Sequence, residues 1–265
     1  MDKISLLNSY KKKNKRNKII QISTQISIVF IFLFIWEIGA NLGLLNEFLV
    51  SKPSAIFNLF IEYFSTGSIY NDIAISVYET ILGLIVGTIL GLIIAILLWL
   101  SDFVSKVLEP FLVVLNALPK TALAPIIIIW AGTGVKGIVV VAISISLILT
   151  ILSAYNYFKN VDESQIKMLK TYRANKFQIL FKLILPANFA NILNIIKINI
   201  GMSWVGVMVG EFLVSREGIG YLTMYGSQVF KLDLVMMCVI LLAFIAFLMY
   251  EIVNIIEIYY RKKRL

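Results

Sequence analysis

Histidine is absent from this chain of 265 residues, and cysteine occurs only once. The missing histidines remove the commonest proton shuttle and metal ligand. Because Cys238 is alone, no intrachain disulfide or cysteine-based zinc site can form. Charged residues are also scarce, at 15% of the chain, and the acids among them are scattered. We therefore expect no catalytic site, no bound metal and no cofactor held by this chain.

Apolar residues are abundant, at 60% of the sequence, and the mean hydropathy is +0.90. Residues 80–100 carry no charge over a length that would cross a bilayer as a helix. The pattern predicts an all-α integral membrane protein with six transmembrane helices. The predicted spans cover residues 19–40, 75–100, 107–130, 138–157, 189–213 and 234–258.

The third predicted span is interrupted by Pro119, Lys120 and Pro125. Proline removes a backbone donor and breaks or kinks a helix. Two short helices that each cross the membrane would place the carboxyl terminus outside. We therefore predict one broken or kinked span, which keeps the number of crossings even.

Positive charges are concentrated at both ends, within a net charge of +9. Such a charge could favour the binding of nucleic acid, but basic clusters next to membrane spans are typical of cytoplasmic segments. We predict a multi-pass protein of the cell membrane that binds lipid and no nucleic acid, with both termini cytoplasmic. Its predicted parts are a basic segment at 1–18, one transmembrane domain at 19–260 and a basic tail at 261–265.

The fifth predicted span carries polar side chains along one helical face. A charge facing lipid costs at least about 2.5 kcal/mol, so these groups should face protein, water or a membrane interface. One interpretation makes them line a solute pathway. The other has Lys197 reach the cytoplasmic headgroups and Glu211 lie at the outer rim. The face comprises Asn194, Lys197, Gly201, Trp204, Met208 and Glu211.

Glycines spaced four apart mark the second predicted span, at Gly83, Gly87 and Gly91. Glu79 begins the same stripe. Small residues at this spacing let another helix approach closely. Packing within one subunit is the favoured interpretation, and contact with a second copy is the alternative.

A basic segment at 171–186 lies between the fourth and fifth predicted spans. Its apolar residues recur at the spacing of one helical face, which predicts an amphipathic helix and not a span. This face could bind a partner or pack beneath the spans of its own subunit. It comprises Phe177, Leu180, Phe181 and Ile184.

Three motifs in this order resemble the permease subunits of binding-protein-dependent ABC importers, in the branch for sulfonates, taurine, nitrate and thiamine precursors. They lie at 118–134, at 172–186 and at 210–222, within a resemblance that spans about 48–250. The likeness implies a type I importer fold and a pathway for a small anionic solute or a thiamine precursor. It implies two permease copies, a solute-binding protein outside and cytoplasmic ATPase subunits that hold ATP and Mg. A secondary transporter or channel without an ATPase is the alternative.

No Gly-x-x-x-x-Gly-Lys-Ser/Thr motif occurs, so ATP hydrolysis is expected on the partner subunits. The resemblance implies a coupling loop at about 160–186. The family's usual glycine at its turn is replaced by Arg173, so we expect either Asn175 to take over the turn or the first helix to continue. The implied coupling residues are Tyr172, Arg173, Ala174, Asn175, Phe177, Leu180, Phe181 and Pro186.

Overall fold

The computed structural model describes residues 3–264, and within that range every regular element is helical. This agrees with the predicted all-α class. The helices are α1 (Lys3–Asn41), α2 (Glu47–Val50), α3 (Pro53–Ser65), α4 (Tyr70–Leu100), α5 (Asp102–Ala117), α6 (Lys120–Ala131), α7 (Val135–Lys159), α8 (Glu163–Thr171), α9 (Lys176–Ile179), α10 (Leu185–Ala187), α11 (Phe189–Val214), α12 (Ile219–Gln228) and α13 (Leu232–Arg264).

Five helices of the described chain, α1, α4, α7, α11 and α13, are long and apolar enough to cross a membrane. The pair α5 and α6 adds a sixth if it counts as one span, although its two halves meet at 100°. The predicted break is therefore present. Pro119 restricts the residue before it to extended backbone, and Leu118 has φ −66° and ψ 136°. The single kinked crossing stays a prediction, since a re-entrant pair would bend similarly.

The glycine stripe of α4 packs against α7 in the same chain. A Cβ atom built at Gly83 would lie 2.7 Å from Cβ of Ala142, and one at Gly91 would lie 2.5 Å from Cβ of Thr150. Gly206 and Gly210 of α11 also approach α7 closely, at Ala142 and Ile138. Packing within one subunit, the favoured interpretation, is confirmed. Three helices thus form a tight core that positions the sites described below.

Helix α1 is joined to the rest of the chain mainly at one end, through α2 and α3. Trp36 Nε1 donates a hydrogen bond to the Ser51 carbonyl oxygen at 3.2 Å, and Ser54 Oγ donates one to Glu37 Oε1 at 2.8 Å. Most of the apolar side chains that the structure describes in this helix, from residue 13 onward, are exposed in the single chain. Lipid or another subunit must therefore cover this helix in the membrane.

Cysteine labelling will establish whether the number of crossings is even. In a Cys238→Ala background, we expect Ser68→Cys to react with a membrane-impermeant thiol reagent in intact cells. Lys13→Cys and Lys262→Cys should react only after permeabilisation, because an even number of crossings returns the chain to its starting side. Labelling of Lys262→Cys but not Lys13→Cys would refute the even number of crossings, and with it the single kinked span formed by α5 and α6.

Candidate functional site

The segment between α7 and α11 contains α8, a tight turn, α9 and a π-helical stretch at Leu180–Ile184. Hydrogen bonds from Ser164 to Asp162, which caps α8, lower the pKa of that carboxyl. At the other end of α8, Arg173 N donates to Lys170 O at 2.8 Å and Ala174 N donates to Leu169 O at 3.1 Å. These two bonds form a Schellman motif, with which helices commonly end.

Arg173 occupies the left-handed position of this motif, with φ +57°. Both expectations for the turn are therefore wrong, because it neither moves to Asn175 nor disappears into a longer α8. Asn175 has φ −76° and caps α9 through a reciprocal pair of hydrogen bonds with Gln178. That capping box fixes where α9 begins, so the turn stays at Arg173 despite the steric cost for a residue with a side chain.

The predicted amphipathic face is divided between the two sides of the segment. Leu180 and Ile184 are only 1% and 0% exposed, whereas Phe177 and Phe181 are 61% and 64% exposed. The interpretation of one common face is therefore wrong. The spacing assumed regular α-helix, but the π-helical turns change the angle between successive side chains. Pro186 lies two residues after the π-helical stretch and cannot donate the backbone hydrogen bond of an α-helix.

The buried side of the segment attaches it to the three-helix core. Ile179, Leu180 and Ile184 pack in one cluster with residues of α4, α7 and α11. In addition, Lys176 Nζ donates a hydrogen bond to the Leu100 carbonyl oxygen at 2.8 Å, at the end of α4. A cation at this position is stabilised by the partial negative charge at the carboxyl end of α4. This role of Lys176 could not be predicted from the sequence, because its partner lies 76 residues away.

The exposed side of the segment forms a patch that we name the coupling surface, defined as Met168, Tyr172, Arg173, Phe177 and Phe181. All five side chains are exposed, and four of them are large and apolar. Ala174 is half-buried and Asn175 serves as a cap, so neither contributes much to this surface. Exposed apolar residues in such a group commonly mark a protein contact.

A second site surrounds Glu211, near the end of α11. The Glu211 carboxylate accepts hydrogen bonds from Ser76 Oγ and from Gly220 N, both at 2.5 Å. Ser76 Oγ also accepts one from Ile219 N at 2.8 Å, and Asp72 Oδ1 accepts one from Gly218 N at 2.6 Å. Acidic and polar side chains of α4 and α11 thus bind the free backbone donors at the start of α12.

Two glycines make room for this carboxylate. Gly218 has φ +107°, and a Cβ atom there would overlap the Glu211 carboxyl group. A Cβ atom at Gly220 would lie 2.7 Å from Glu211 Oε2. Glycine is therefore needed at both positions, because a larger residue in place of Gly218 or Gly220 would push the Glu211 carboxylate away from its hydrogen-bond donors.

Lys197 lies at the opposite end of α11 and binds α13. Its Nζ atom is 2.5 Å from Glu257 Oε2 and 2.8 Å from Asn254 Oδ1. The rings of Phe189 and Tyr260 join the same two helices, with centroids 4.1 Å apart. Both charged residues of the predicted polar face, Lys197 and Glu211, therefore point into the protein, as the cost of exposing charge to lipid requires.

The other four residues of the predicted polar face lie in different environments. Trp204 is buried among Ile200, Ile219 and Met237. Asn194 and Met208 are half-buried, and Gly201 is exposed. The structure thus does not gather the six residues into one cavity, and their role in a pathway stays a prediction.

Asn199 is a buried polar residue of α11 that lies outside the predicted polar face. Its Nδ2 atom donates to Thr88 Oγ1 at 2.8 Å and to Thr150 Oγ1 at 2.7 Å, which joins all three core helices. Within the described part of the chain, no three acidic or cysteine side chains are grouped as metal ligands. The two hydrogen bonds of Asn199 Nδ2 thus link the core helices, whereas Asn199 Oδ1 and Ser203 Oγ have no hydrogen-bond partner among the described residues.

Comparison with protein families gives a match at residues 87–262 to the family described as binding-protein-dependent transport system inner membrane component. A "Probable ABC transporter permease protein" of Haemophilus influenzae is 28% identical over 84% of this chain and 90% of its own length. A taurine transport system permease protein of Escherichia coli is 23% identical over 86% and 85%. A formylaminopyrimidine transport permease protein of Halalkalibacterium halodurans is 24% identical over 74% and 78%.

Among solved structures, a chain of the MetNI methionine ABC transporter in inward-facing conformations has a similar fold. The TM-score is 0.60 at 16% identity, and the match covers 68% of this chain and 92% of the other. At that identity the likeness supports the fold only.

Proposed function

The chain belongs to the family of binding-protein-dependent transport system inner membrane components, as a multi-pass permease subunit, and we propose that its coupling surface binds a separate ATPase. The observation that carries this proposal is the division of the segment at 171–187. One side is buried against α4, α7 and α11, and the other exposes Phe177 and Phe181. A surface fixed to the core on one side can transmit movement of a partner bound on the other.

The proposed partners follow from this arrangement. Two copies of the chain enclose the solute pathway, an ATPase subunit binds each coupling surface, and a solute-binding protein docks at the outer side. ATP and Mg belong to the ATPase, and both termini of the permease are cytoplasmic. The solute is a small anion or a thiamine precursor, a class supported by relatives named for taurine and formylaminopyrimidine.

The proposed function is tested by reconstituting the permease with its ATPase and binding protein in lipid vesicles. We expect solute uptake that requires ATP and that accompanies stimulated ATP hydrolysis. Uptake driven by an ion gradient without ATP would contradict the proposal and would favour a secondary transporter.

The two sides of the segment should respond differently to alanine. We expect Phe177→Ala with Phe181→Ala to weaken ATPase binding by about 2 kcal/mol or more, roughly thirtyfold, because exposed aromatic residues often dominate protein contacts. The thermal stability of the permease alone should hardly change. Leu180→Ala should instead destabilise the permease by about 2–5 kcal/mol, because it opens a cavity in the core.

Co-purification of the ATPase and thermal unfolding of the permease in detergent measure the two effects separately. Leu180→Ala is the matched control, since it removes an apolar side chain from the same segment but from the buried side. Full ATPase binding by the double phenylalanine variant would contradict the assignment of this surface.

A further inference from the structure

Two carboxyl groups meet inside the three-helix core, near the predicted outer ends of α4 and α11. Glu79 and Glu211 are each only 1% exposed, and their carboxyl groups lie in hydrogen-bond contact. An ionised carboxyl group has acceptor oxygens only, so two ionised groups cannot form a hydrogen bond with each other. One member of the pair must therefore carry a proton.

The surrounding donors indicate which residue carries this proton. Glu211 already accepts hydrogen bonds from Ser76 Oγ and from two backbone N–H groups, those of Gly220 and Tyr221, as an ionised carboxylate does. Glu79 Oε2 receives no donor from the described residues. An ionised carboxyl group buried without a donor is costly, whereas a protonated one can donate to its neighbour. The proton therefore belongs to Glu79, which donates to Glu211.

This proton joins three helices. Glu79 and Ser76 both lie on α4. Glu211 lies on α11 and binds the start of α12 through Gly220 N, and Ser76 Oγ accepts a hydrogen bond from Ile219 N at 2.8 Å. Loss of the proton would leave two negative charges in contact inside the protein, where like charges repel more strongly than in water. The outer end of α4 would then be pushed away from α11 and α12.

Solvent reaches the pair through an open cavity of about 560 Å³. The cavity lies between the first turns of α4, the turn that joins α6 to α7, and the residues after α11, and Glu79 forms part of its wall. Because these parts of the chain lie at the predicted outer side, Glu79 can exchange its proton with the outer medium while the core stays folded.

We propose that Glu79 and Glu211 form a pH-sensitive contact, in which a proton from the outer medium holds α4 against α11 and α12. The inference uses neither the coupling surface nor the identity of the solute. A rise in pH should weaken this contact, and a fall in pH should strengthen it.

Other titratable side chains near the pair do not account for this direction. Asp72 accepts a hydrogen bond from Gly218 N, so its ionisation would strengthen the contact between α4 and α12 and has the opposite sign. Those that line the cavity after α11 are exposed, where solvent screens their charge. Among the described residues, the turn before α7 adds no titratable side chain to the cavity wall, and α12 faces Glu211 with backbone N–H groups. The neighbouring titratable residues are Asp72 on α4, Arg216 and Glu217 after α11, and Cys238 on α13.

Thermal unfolding of the full chain in detergent, measured from about pH 6 to about pH 9, tests the proposal. In the unfolded chain Glu79 is an ordinary carboxyl group that is ionised over this range, so the folded chain holds one more proton. The folding equilibrium constant should therefore fall by up to about tenfold for each pH unit. Glu79→Gln should flatten this slope, because its amide keeps a donor for Glu211 but cannot lose a proton.

Cys238 gives a local measurement of the same movement. It is the only cysteine in the chain, is fully buried, and packs in one cluster with Ile219 of α12. Its reaction with N-ethylmaleimide also depends on pH through the thiol itself, so the wild type and Glu79→Gln are compared at each pH. We expect the ratio of the wild-type rate to the variant rate to rise about tenfold or more between about pH 6 and about pH 9.

Two further variants make the test decisive. Glu217→Gln is the matched control, because it removes an acid from an exposed position on the same cavity wall, and it should leave the slope unchanged. Glu79→Leu has neither a proton to lose nor a charge, so it should flatten the slope however an amide packs. The proposal is overturned if either Glu79 variant keeps the full wild-type slope, if Glu217→Gln flattens it equally, or if the labelling ratio for Cys238 stays constant. None of these measurements involves the ATPase, so their outcome does not depend on the coupling role.

Discussion

Glu211→Gln is expected to reduce solute uptake and the thermal stability of the complex together. The Glu211 carboxylate accepts one hydrogen bond from Ser76 Oγ and another from Gly220 N, one on each oxygen. An amide offers a single acceptor oxygen, so glutamine can serve only one of these donors. A buried donor without a partner costs about 1–3 kcal/mol, which should appear as a lower unfolding temperature.

A glycine substitution should reproduce this effect without altering any charge. A Cβ atom at Gly220 would lie 2.7 Å from Glu211 Oε2 and 2.8 Å from Glu211 Cβ, so Gly220→Ala must displace the carboxylate. Gly201→Ala is the matched control, since nothing lies within 4 Å of its built Cβ atom. Alanine should leave stability unchanged there or raise it by about 1 kcal/mol.

Thermal unfolding and uptake measured on the same preparations separate two roles for Glu211. Lower uptake at unchanged stability in Glu211→Gln would assign this residue to the solute pathway. Lower stability in both Glu211→Gln and Gly220→Ala would show that the carboxylate holds α12 against α4 and α11. The geometry favours the second result.

Features that depend on local sequence could be predicted. The long spans follow from uninterrupted apolar runs such as 80–100, and the break near Pro119 follows from the backbone chemistry of proline. The packing of Gly83, Gly87 and Gly91 against α7 was the favoured interpretation, because glycines at this spacing allow close contact between helices. Each of these inferences needs only residues that are neighbours along the chain.

Features that depend on tertiary contacts could not be predicted from the sequence. The partner of Glu211 is Ser76, 135 residues away, and no periodicity links the two. The partners of Lys197 on α13 could not be predicted for the same reason. A lysine inside an apolar run does predict that an acidic residue lies nearby. Sequence thus indicated which residues of α11 needed a partner but not which residues supplied one.

In the segment between α7 and α11, the prediction from the sequence failed for a different reason. Its apolar spacing predicted one helical face, but the face exists only if the helix is regular. The π-helical stretch at Leu180–Ile184 turns Leu180 inward while Phe181 remains exposed. A change of helix type has no reliable sequence signal, and the nearby Pro186 is the only local indication of it.

Arg173→Glu is expected to weaken ATPase binding strongly and to uncouple ATP hydrolysis from uptake. Arg173 protrudes from the coupling surface at the left-handed position that ends α8. Glutamate keeps the same backbone strain but reverses the charge presented to the partner. If an acidic group of the ATPase pairs with this guanidinium, like charges would then meet at the contact, which costs several kcal/mol.

Two further variants separate charge from backbone strain. Arg173→Gly should be much milder than Arg173→Glu, because glycine adopts positive φ without steric cost and stabilises the turn by about 1 kcal/mol. Lys106→Glu reverses a charge at an exposed position on α5, outside the coupling surface, and should leave ATPase binding intact. Co-purification of the ATPase and solute-stimulated hydrolysis in lipid measure both properties. If Arg173→Glu retains both in full, Arg173 lies outside the contact, and the docking role of this turn is wrong.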